Sequence, residues 1–482
     1  MASGTMLPML KKAIKTPIIA TRKRLALIAV ILRDLLDILS YYYSTDWGKS
    51  KDEVWYNRGM EKVTIEKLVP GGQGIGTLAD GRKIFLWNVL PGEVVSEYRV
   101  TKKKSHYLEG VATKIEVASK ERVEPRDECY LATSPWQMMR YEYELKQKCE
   151  LVKEVFRQNE IQSVCFGDAS SRLSLQGSSL LSLPSSRKLQ NTHDRISNEM
   201  SCLTNEQSYF YRNKMEYSLF YDKEAGKIRL AFHERGSHRK VPITQSSIER
   251  PEIWAKACEI VDDLNARGEE ARKYQSLLLR CNREGKVSGG LFENGQPHPV
   301  FPNLTDEILG VPYSYSPNGF FQINLPVYEM ALMEIKKFVG TEKVLDLYAG
   351  VGTIGLSVAR DKGLTLVECN KSAYEEALNN TKELKNVMTI LANSEDALEY
   401  IEPDETVIVD PPRAGCDKKL IERFLEVKPR RIIYLSCNPA TQARDVKMLL
   451  DKYIIKSIKT FNFFPRTPHI ENLVVLDISP DE

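Results

Sequence analysis

The chain has 482 residues, 42% hydrophobic and 28% charged, which excludes a membrane-embedded or wholly disordered protein and predicts about three domains of roughly 150 residues. Its 68 Lys and Arg against 65 Asp and Glu leave a net charge of +3, too near neutral to point to a polyanionic partner by itself. Nine cysteines, an odd number without tight clustering, argue against a secreted disulfide framework and for the reducing cytoplasm.

The charge is unevenly placed. Residues 1–120 hold 20 basic and 12 acidic side chains, a net of +8, and the remainder carries −5. A positive first quarter suits a phosphate-binding module, and equally a solvated surface behind a basic leader. Residues 1–59 read as an extension of doubtful role. Basic Lys11–Arg24 precedes apolar Leu25–Leu32, and Arg33, Asp34 and Asp37 end that run, far short of the roughly 20 residues a membrane helix needs. No small-residue cleavage site follows, and the apolar positions fit one helix face. A regular pattern begins at Met60, the expected natural start.

From residue 60 to 120, VTIEKLV, GIGTL, KIFLWNVL, EVVSEYRVTKKK and GVATKIEV are separated by Pro-Gly-Gly, Asp-Gly and Pro-Gly signals. Five short strands in so few residues predict a small barrel of the oligonucleotide-binding type. Lys102, Lys103 and Lys104 beside His106 and Tyr107 suit phosphate contact and base stacking, and equally an edge strand guarded by lysines. Residues 137–160 read as a helix, and the Ser-rich 163–205 stretch as a loop or insertion. Strand-like KMEYSLFYD and KIRLAFHE and a helix at Pro251–Arg267 predict a central α+β domain over 121–310, with the first helix packed on it.

From Val344 onwards, VLDLYAG, LTLVECN, TVIVDPP and RIIYLSCN alternate with helical segments. The pattern predicts an α/β domain with a doubly wound parallel sheet over 311–482, whose ligands bind outside the carboxyl ends of the strands. Gly350, Gly352 and Gly355 form G-x-G-x-x-G after the first strand, and Glu368 lies 18 residues past Gly350 at the end of the second. Glycines let a nucleotide approach the backbone, and the carboxylate accepts from ribose hydroxyls. This fragment alone fits a nicotinamide-dependent oxidoreductase, or simply a tight turn.

Two further strand ends discriminate. One delivers Asp410-Pro411-Pro412-Arg413, the other Ser436-Cys437-Asn438-Pro439. Hydride transfer needs neither, whereas methylation of a pyrimidine at carbon 5 uses both. Carbon 5 of uracil is a poor nucleophile until a thiolate adds to carbon 6, and a base must then remove the carbon-5 proton from a base swung out of its stack. Cys437 is the candidate nucleophile, and Cys416, six residues past Asp410, is the rival. Cys149, Cys258 and Cys369 are read as inert buried thiols. For the base, Glu471 enters the final strand LVVLDI, and His469, with a pKa nearer neutrality, is the alternative.

With these residues assembled, the chain from about residue 60 resembles the S-adenosylmethionine-dependent RNA uracil-5-methyltransferase family. SPNGFFQIN (Ser316–Asn324), DLYAGVGTIGL, DPPRAG, SCNPATQARD and the terminal HIE carry the likeness. It implies a C-terminal Rossmann-like class I methyltransferase domain behind a TRAM-type barrel, with YRNKMEYS (Tyr211–Ser218) in a central RNA-binding domain. Gln322, Tyr348, Glu368 and Asp410 would contact S-adenosyl-L-methionine. Cys437 would be the nucleophile and Glu471 the base. Many relatives hold an iron–sulfur cluster on closely spaced cysteines after the barrel. Here that region has only Cys129, so no cluster is expected.

The expected function is 5-methyluridine formation in 23S ribosomal RNA through a cysteine–pyrimidine adduct, by a monomer that binds RNA and no membrane. A tRNA uracil-5-methyltransferase is the alternative of the same class. A nicotinamide-dependent oxidoreductase and a catalytically silent RNA-binding protein are the alternatives of other classes.

Overall fold

The computed structural model describes residues 61–161, 200–235 and 239–480. The expectations for residues 1–59, for a start at Met60 and for most of the Ser-rich stretch lie outside the described residues. Among the described residues, no helix is long and apolar enough to cross a membrane.

Strands β1 (Val63–Leu68), β2 (Gly74–Thr77), β3 (Lys83–Trp87), β4 (Val94–Lys103) and β5 (Tyr107–Val117) close a barrel in the order β1-β2-β3-β5-β4. The period-2 alternation of each strand sends Val63, Ile65, Ile84, Leu86 and Val95 inward. This is the five-stranded Greek-key barrel that the turn signals predict. Of its basic triplet, Lys102 is paired with Glu109 at 2.7 Å and lies over the Tyr107 ring. Lys103 and Lys104 are exposed.

Helix α1 (Tyr141–Gln158) departs from the expectation that it packs on the central domain. Its buried Leu151, Val152, Val155 and Phe156 join the core beneath the C-terminal sheet. The short β6 (Cys202–Leu203) likewise extends the edge of that sheet. Amphipathic spacing specifies that a helix face is covered, but not by which partner.

The central sheet has the order β12-β11-β10-β7-β8-β9. Its members are β7 (Lys214–Asp222), β8 (Lys227–His233), β9 (Lys240–Pro242), β10 (Ser276–Cys281), β11 (Val287–Glu293) and β12 (Gln296–His298). Helix α2 (Pro251–Ala266) starts with Pro at its first position, where the missing N–H costs nothing. It buries Ile253, Ala257, Val261 and Leu264 against Tyr217, Leu277 and Leu279. A hairpin, β13 (Leu304–Ile308) with β14 (Val311–Tyr315), and α3 (Leu325–Lys336) lead into the last domain.

That domain alternates β15 (Lys343–Leu347), α4 (Thr353–Ala359), β16 (Gly363–Glu368), α5 (Lys371–Thr381), β17 (Val387–Leu391), β18 (Thr406–Val409), α6 (Lys418–Val427), β19 (Arg431–Ser436) and α7 (Pro439–Leu449). Strands β20 (Tyr453–Phe461) and β21 (Glu471–Ile478) follow, giving the order β17-β16-β15-β18-β19-β21-β20-β6. Pairings among β15 to β19 are parallel. β21, however, runs antiparallel to both β19 and β20, so the sheet is mixed rather than wholly parallel. No crossover helix separates β20 from β21, and a short connection permits only an antiparallel return.

Candidate active site

The chain leaves β15, turns outward through β16 and β17, and returns to β18 on the other side of β15. This reversal opens the crevice where open α/β sheets bind ligands. A cavity of about 610 Å³ lies there, lined by Gln322, Tyr348, Gly350, Glu368, Asp410, Arg413, Cys437, His469 and Glu471 among others. The four residues expected to contact the cofactor, with Cys437 and Glu471, thus line one cavity.

On the cofactor side, Gly350 and Gly352 have φ of 58° and 86°, the left-handed region in which glycine is unstrained. A Cβ on Gly350 would meet no atom within 4 Å, so the loop presents open backbone to a ligand. The Glu368 carboxylate accepts from the Gly350 N–H at 2.8 Å and the Asn370 N–H at 2.6 Å, which fixes it beside that loop. Behind it, Asp346 is buried and accepts from the Gly355 N–H at 2.8 Å. Burial, then the charges of Asp410 and Glu368, push Asp346 up to about 8. This set of a carboxylate at the strand end, open glycine backbone, the Tyr348 ring and the Gln322 amide fits an adenosyl group.

The central sheet shapes the cavity from its other side. Lys214 of β7 donates to the Asn318 and Gly319 carbonyls at 3.0 and 3.1 Å, and burial pushes it down to about 8. Buried Arg280 of β10 donates to the Phe321 carbonyl at 3.1 Å and lies over the Tyr315 ring, which stacks on Phe321 at 3.9 Å. These contacts hold the SPNGFFQIN segment. A lone arginine in the apolar run SLLLRC was the sequence signal for this clamp.

On the chemical side, the antiparallel β21 decides the geometry. Ser436 pairs with Asn472, so the next residue on one strand and the preceding residue on the other, Cys437 and Glu471, emerge together where β19 ends and β21 begins. Gln442 of α7 donates to the Tyr434 and Asn472 carbonyls at 2.9 and 3.0 Å and accepts from Asn472 Nδ2 at 2.7 Å. Asn438 caps α7 and donates to the Arg413 carbonyl at 2.8 Å, which ties the DPPR and SCNP loops together.

Burial, then the charges of Glu471 and Asp410, push the Cys437 thiol up to about 11, and the Arg413 guanidinium opposes them. Burial raises Asp410 to about 7. Glu471 lies well above the usual carboxylate range, through burial and then the Asp410 charge. Desolvation by the surrounding packing, then the Arg413 charge, push His469 down to about 4, although the residue itself is exposed to solvent. Its Nδ1 accepts from Arg413 Nη2 at 2.7 Å, so that nitrogen is occupied.

Cys416, the rival nucleophile, is buried and held high by burial and then by Asp445. Cys149 is buried as expected, and Cys258 is half-buried. Cys369 departs from its reading as a buried thiol and is exposed. Its strand ends one residue earlier, at Glu368, so it falls outside the sheet. Cys129 is buried and pushed up to about 12, chiefly by burial. Arg413, quoted in the motif without a role, also lines the cavity, and sequence reasoning did not single it out.

Residues 309–479 match the family model described as tRNA (Uracil-5-)-methyltransferase. An uncharacterized RNA methyltransferase of Listeria monocytogenes is 26% identical over 88% of this chain and 98% of its own. One of Synechocystis sp. is 27% identical over 88% and 96%. The Pyrococcus abyssi tRNA (uracil-54, C5)-methyltransferase, solved in complex with S-adenosyl-L-homocysteine, shares the fold with a TM-score of 0.63 at 24% identity, covering 86% of this chain and 99% of that one. The chain is an S-adenosylmethionine-dependent RNA methyltransferase, not the nicotinamide-dependent oxidoreductase that the glycine pattern alone admitted. The similarity to the RNA uracil-5-methyltransferase family spans residues 309–479.

Proposed function

We propose that this chain, acting as a cytoplasmic monomer, methylates carbon 5 of a uridine in 23S ribosomal RNA through a covalent cysteine–pyrimidine adduct. The observation that carries this reading is the emergence of Cys437 and Glu471 together at adjoining strand ends, lining one cavity with the glycine loop and Glu368. The proposed division of labour is a TRAM-type barrel over 60–120 that holds RNA, a central domain over 121–310, and the methyltransferase domain over 311–482.

The Cys437 thiol loses its proton to solvent, and the sulfur bonds to carbon 6 while the C5=C6 pair shifts towards carbon 5. Gln322, Tyr348, Glu368 and Asp410 would hold S-adenosylmethionine, whose methyl group would bond to that carbon as its bond to sulfur breaks, with S-adenosylhomocysteine leaving. Glu471 takes the carbon-5 proton. The freed electron pair restores C5=C6 and expels the thiolate. His469, with Nδ1 on Arg413, orients that guanidinium beside the thiol. Phe320, 74% exposed at the cavity mouth, offers a face for stacking a base.

Ribosomal RNA is taken as the substrate from the resemblance of the barrel, over residues 60–120, to the TRAM domain. Transfer RNA is the second reading, favoured by the Pyrococcus neighbour, and the assay separates the two. The test supplies radiolabelled S-adenosylmethionine with unmodified 23S RNA or with unmodified tRNA. Label at uracil carbon 5 in 23S RNA, abolished by Cys437→Ala, is expected. Label in tRNA alone transfers the reading to tRNA, and full activity of Cys437→Ala removes the adduct.

A further inference from the structure

The barrel touches the catalytic loop directly. Its β1–β2 turn, Pro70 to Gln73, lies against Pro468, three positions before Glu471. Gly72 has φ of 98°, and a Cβ placed there would lie 2.3 Å from the Cβ of Pro468. The Gly72 carbonyl accepts from Trp136 Nε1 at 3.2 Å, and the Trp136 N–H donates to the Arg466 carbonyl at 3.0 Å. Trp136 is wholly buried, and Lys148 Nζ stands 5.8 Å from the centre of its ring. Lys148 in turn donates to Asn462 Oδ1 at 2.6 Å and to the Phe464 carbonyl at 3.1 Å. One continuous set of contacts thus runs from the barrel turn, through Trp136, to both ends of the segment that delivers His469 and Glu471.

We infer that the β1–β2 turn is a positioning part of the active site, in which Gly72 and Trp136 seat Pro468 and thereby set the approach of Glu471 to Cys437. A tether that only carried RNA would need no such fit. The barrel would be free to swing on its linker, and its turn would not be close enough to exclude a single methyl group. The inference rests on the reading of Glu471 as the base and adds the element that holds it in place.

The test compares Gly72→Ala with Gly81→Ala in the full chain. Gly81 lies in the same barrel at φ 82°, and a Cβ there meets nothing within 4 Å, so the pair match in backbone strain and differ in the clash. Ordinary contact begins at 3.4 Å, so Gly72→Ala displaces Pro468 by about 1 Å. A displacement of that size beside a reacting group costs about 10- to 100-fold in turnover. The expected result is a kcat for Gly72→Ala about 10-fold or more below that of Gly81→Ala. KM for RNA should match between the two, while Gly72→Ala should melt lower because only its Cβ forces a neighbour aside. A kcat equal to that of Gly81→Ala, or a loss confined to KM, overturns the inference. Should Gly72→Ala fail to fold, Trp136→Phe keeps an aromatic ring there and removes the donor to Gly72. Lowered kcat at unchanged KM then supports the inference, and unchanged kcat overturns it. If the unmodified protein methylates no uridine in any RNA, the proposed function fails instead, and the two failures are separate.

Discussion

The environment of Cys437 makes an unusual demand. Most reactive cysteines are activated by lowering their pKa, yet here burial and two carboxylates push the thiol up to about 11 from an unperturbed 9. At pH 8 that reduces the thiolate from about one molecule in ten to about one in a thousand. Alkylation of Cys437 by iodoacetamide, followed by peptide mass spectrometry, is therefore expected to accelerate about tenfold per pH unit from pH 7 to 10 without levelling. Exposed Cys369 provides an internal reference for reagent access. Two variants shift the profile in opposite directions. Arg413→Gln removes the charge that favours the thiolate and raises the apparent pKa, whereas Glu471→Gln removes one that opposes it and lowers the apparent pKa. A charge within a few ångströms is worth about one unit in either case. Glu471→Gln should thus alkylate faster while losing methyl transfer, which separates thiol reactivity from turnover. An apparent pKa of 9 or below in the unmodified protein, or no shift in Arg413→Gln, would refute this account of the site.

Two more predictions address the supports of the site. Glu144 and Lys148 of α1 form a fully buried ion pair at 3.2 Å, and Glu144 also accepts from Asn462 Nδ2 and the Arg466 N–H. Glu144→Gln strands the Lys148 charge and should cost about 3–5 kcal/mol in urea unfolding. The lower end is favoured because burial already holds Lys148 below its ordinary pKa, and a loss under about 1 kcal/mol would contradict the argument. Glu368→Ala frees the Gly350 and Asn370 N–H groups that fix the glycine loop. S-adenosylhomocysteine at 100 times its Kd stabilises a protein by about 2.7 kcal/mol. That gain should largely vanish in the variant and should never appear with NAD, as a thermal-shift series would read.

The grouping of the glycine turn with Tyr348 and Glu368 at one edge of the sheet was legible because it is local. Tyr348, the glycines and Glu368 lie within two adjoining strand ends, and strand-turn-helix patterning orders them without tertiary information. The barrel was legible for the same reason, since its turns are written in Pro-Gly and Asp-Gly pairs. What was missed is non-local. Lys214 and Arg280 reach across from another sheet, and no spacing rule connects them to SPNGFFQIN. Helix α1 has an apolar face that would suit either domain, and only the buried Glu144 and Lys148 on that face hint that it covers a polar loop. Cys369 was misjudged because the apolar strand LTLVE ends one residue before it.

The mixed sheet resolves a difficulty in the order of the motifs. A parallel strand delivers to the ligand edge only the residues that follow it, and Glu471 precedes its strand. On a parallel β21 it would emerge at the opposite edge, about six residues of strand away from Cys437, or roughly 20 Å. Reversing β21 moves its first residue to the edge where β15, β16, β18 and β19 end. The pairing of Ser436 with Asn472 then fixes which residue stands opposite the thiol. A slip of one residue would turn every side chain of β21 to the other face, replacing Glu471 with Ile470 or Asn472. On the proposed mechanism, register here is a catalytic variable. It is held by Gln442 bonded to both strands, by Thr460 donating to Asn472 at 3.0 Å, and by the α1 contacts at the start of the connecting loop. The polar residues buried behind the thiol maintain that register, and substitutions there should lower turnover before they lower cofactor affinity.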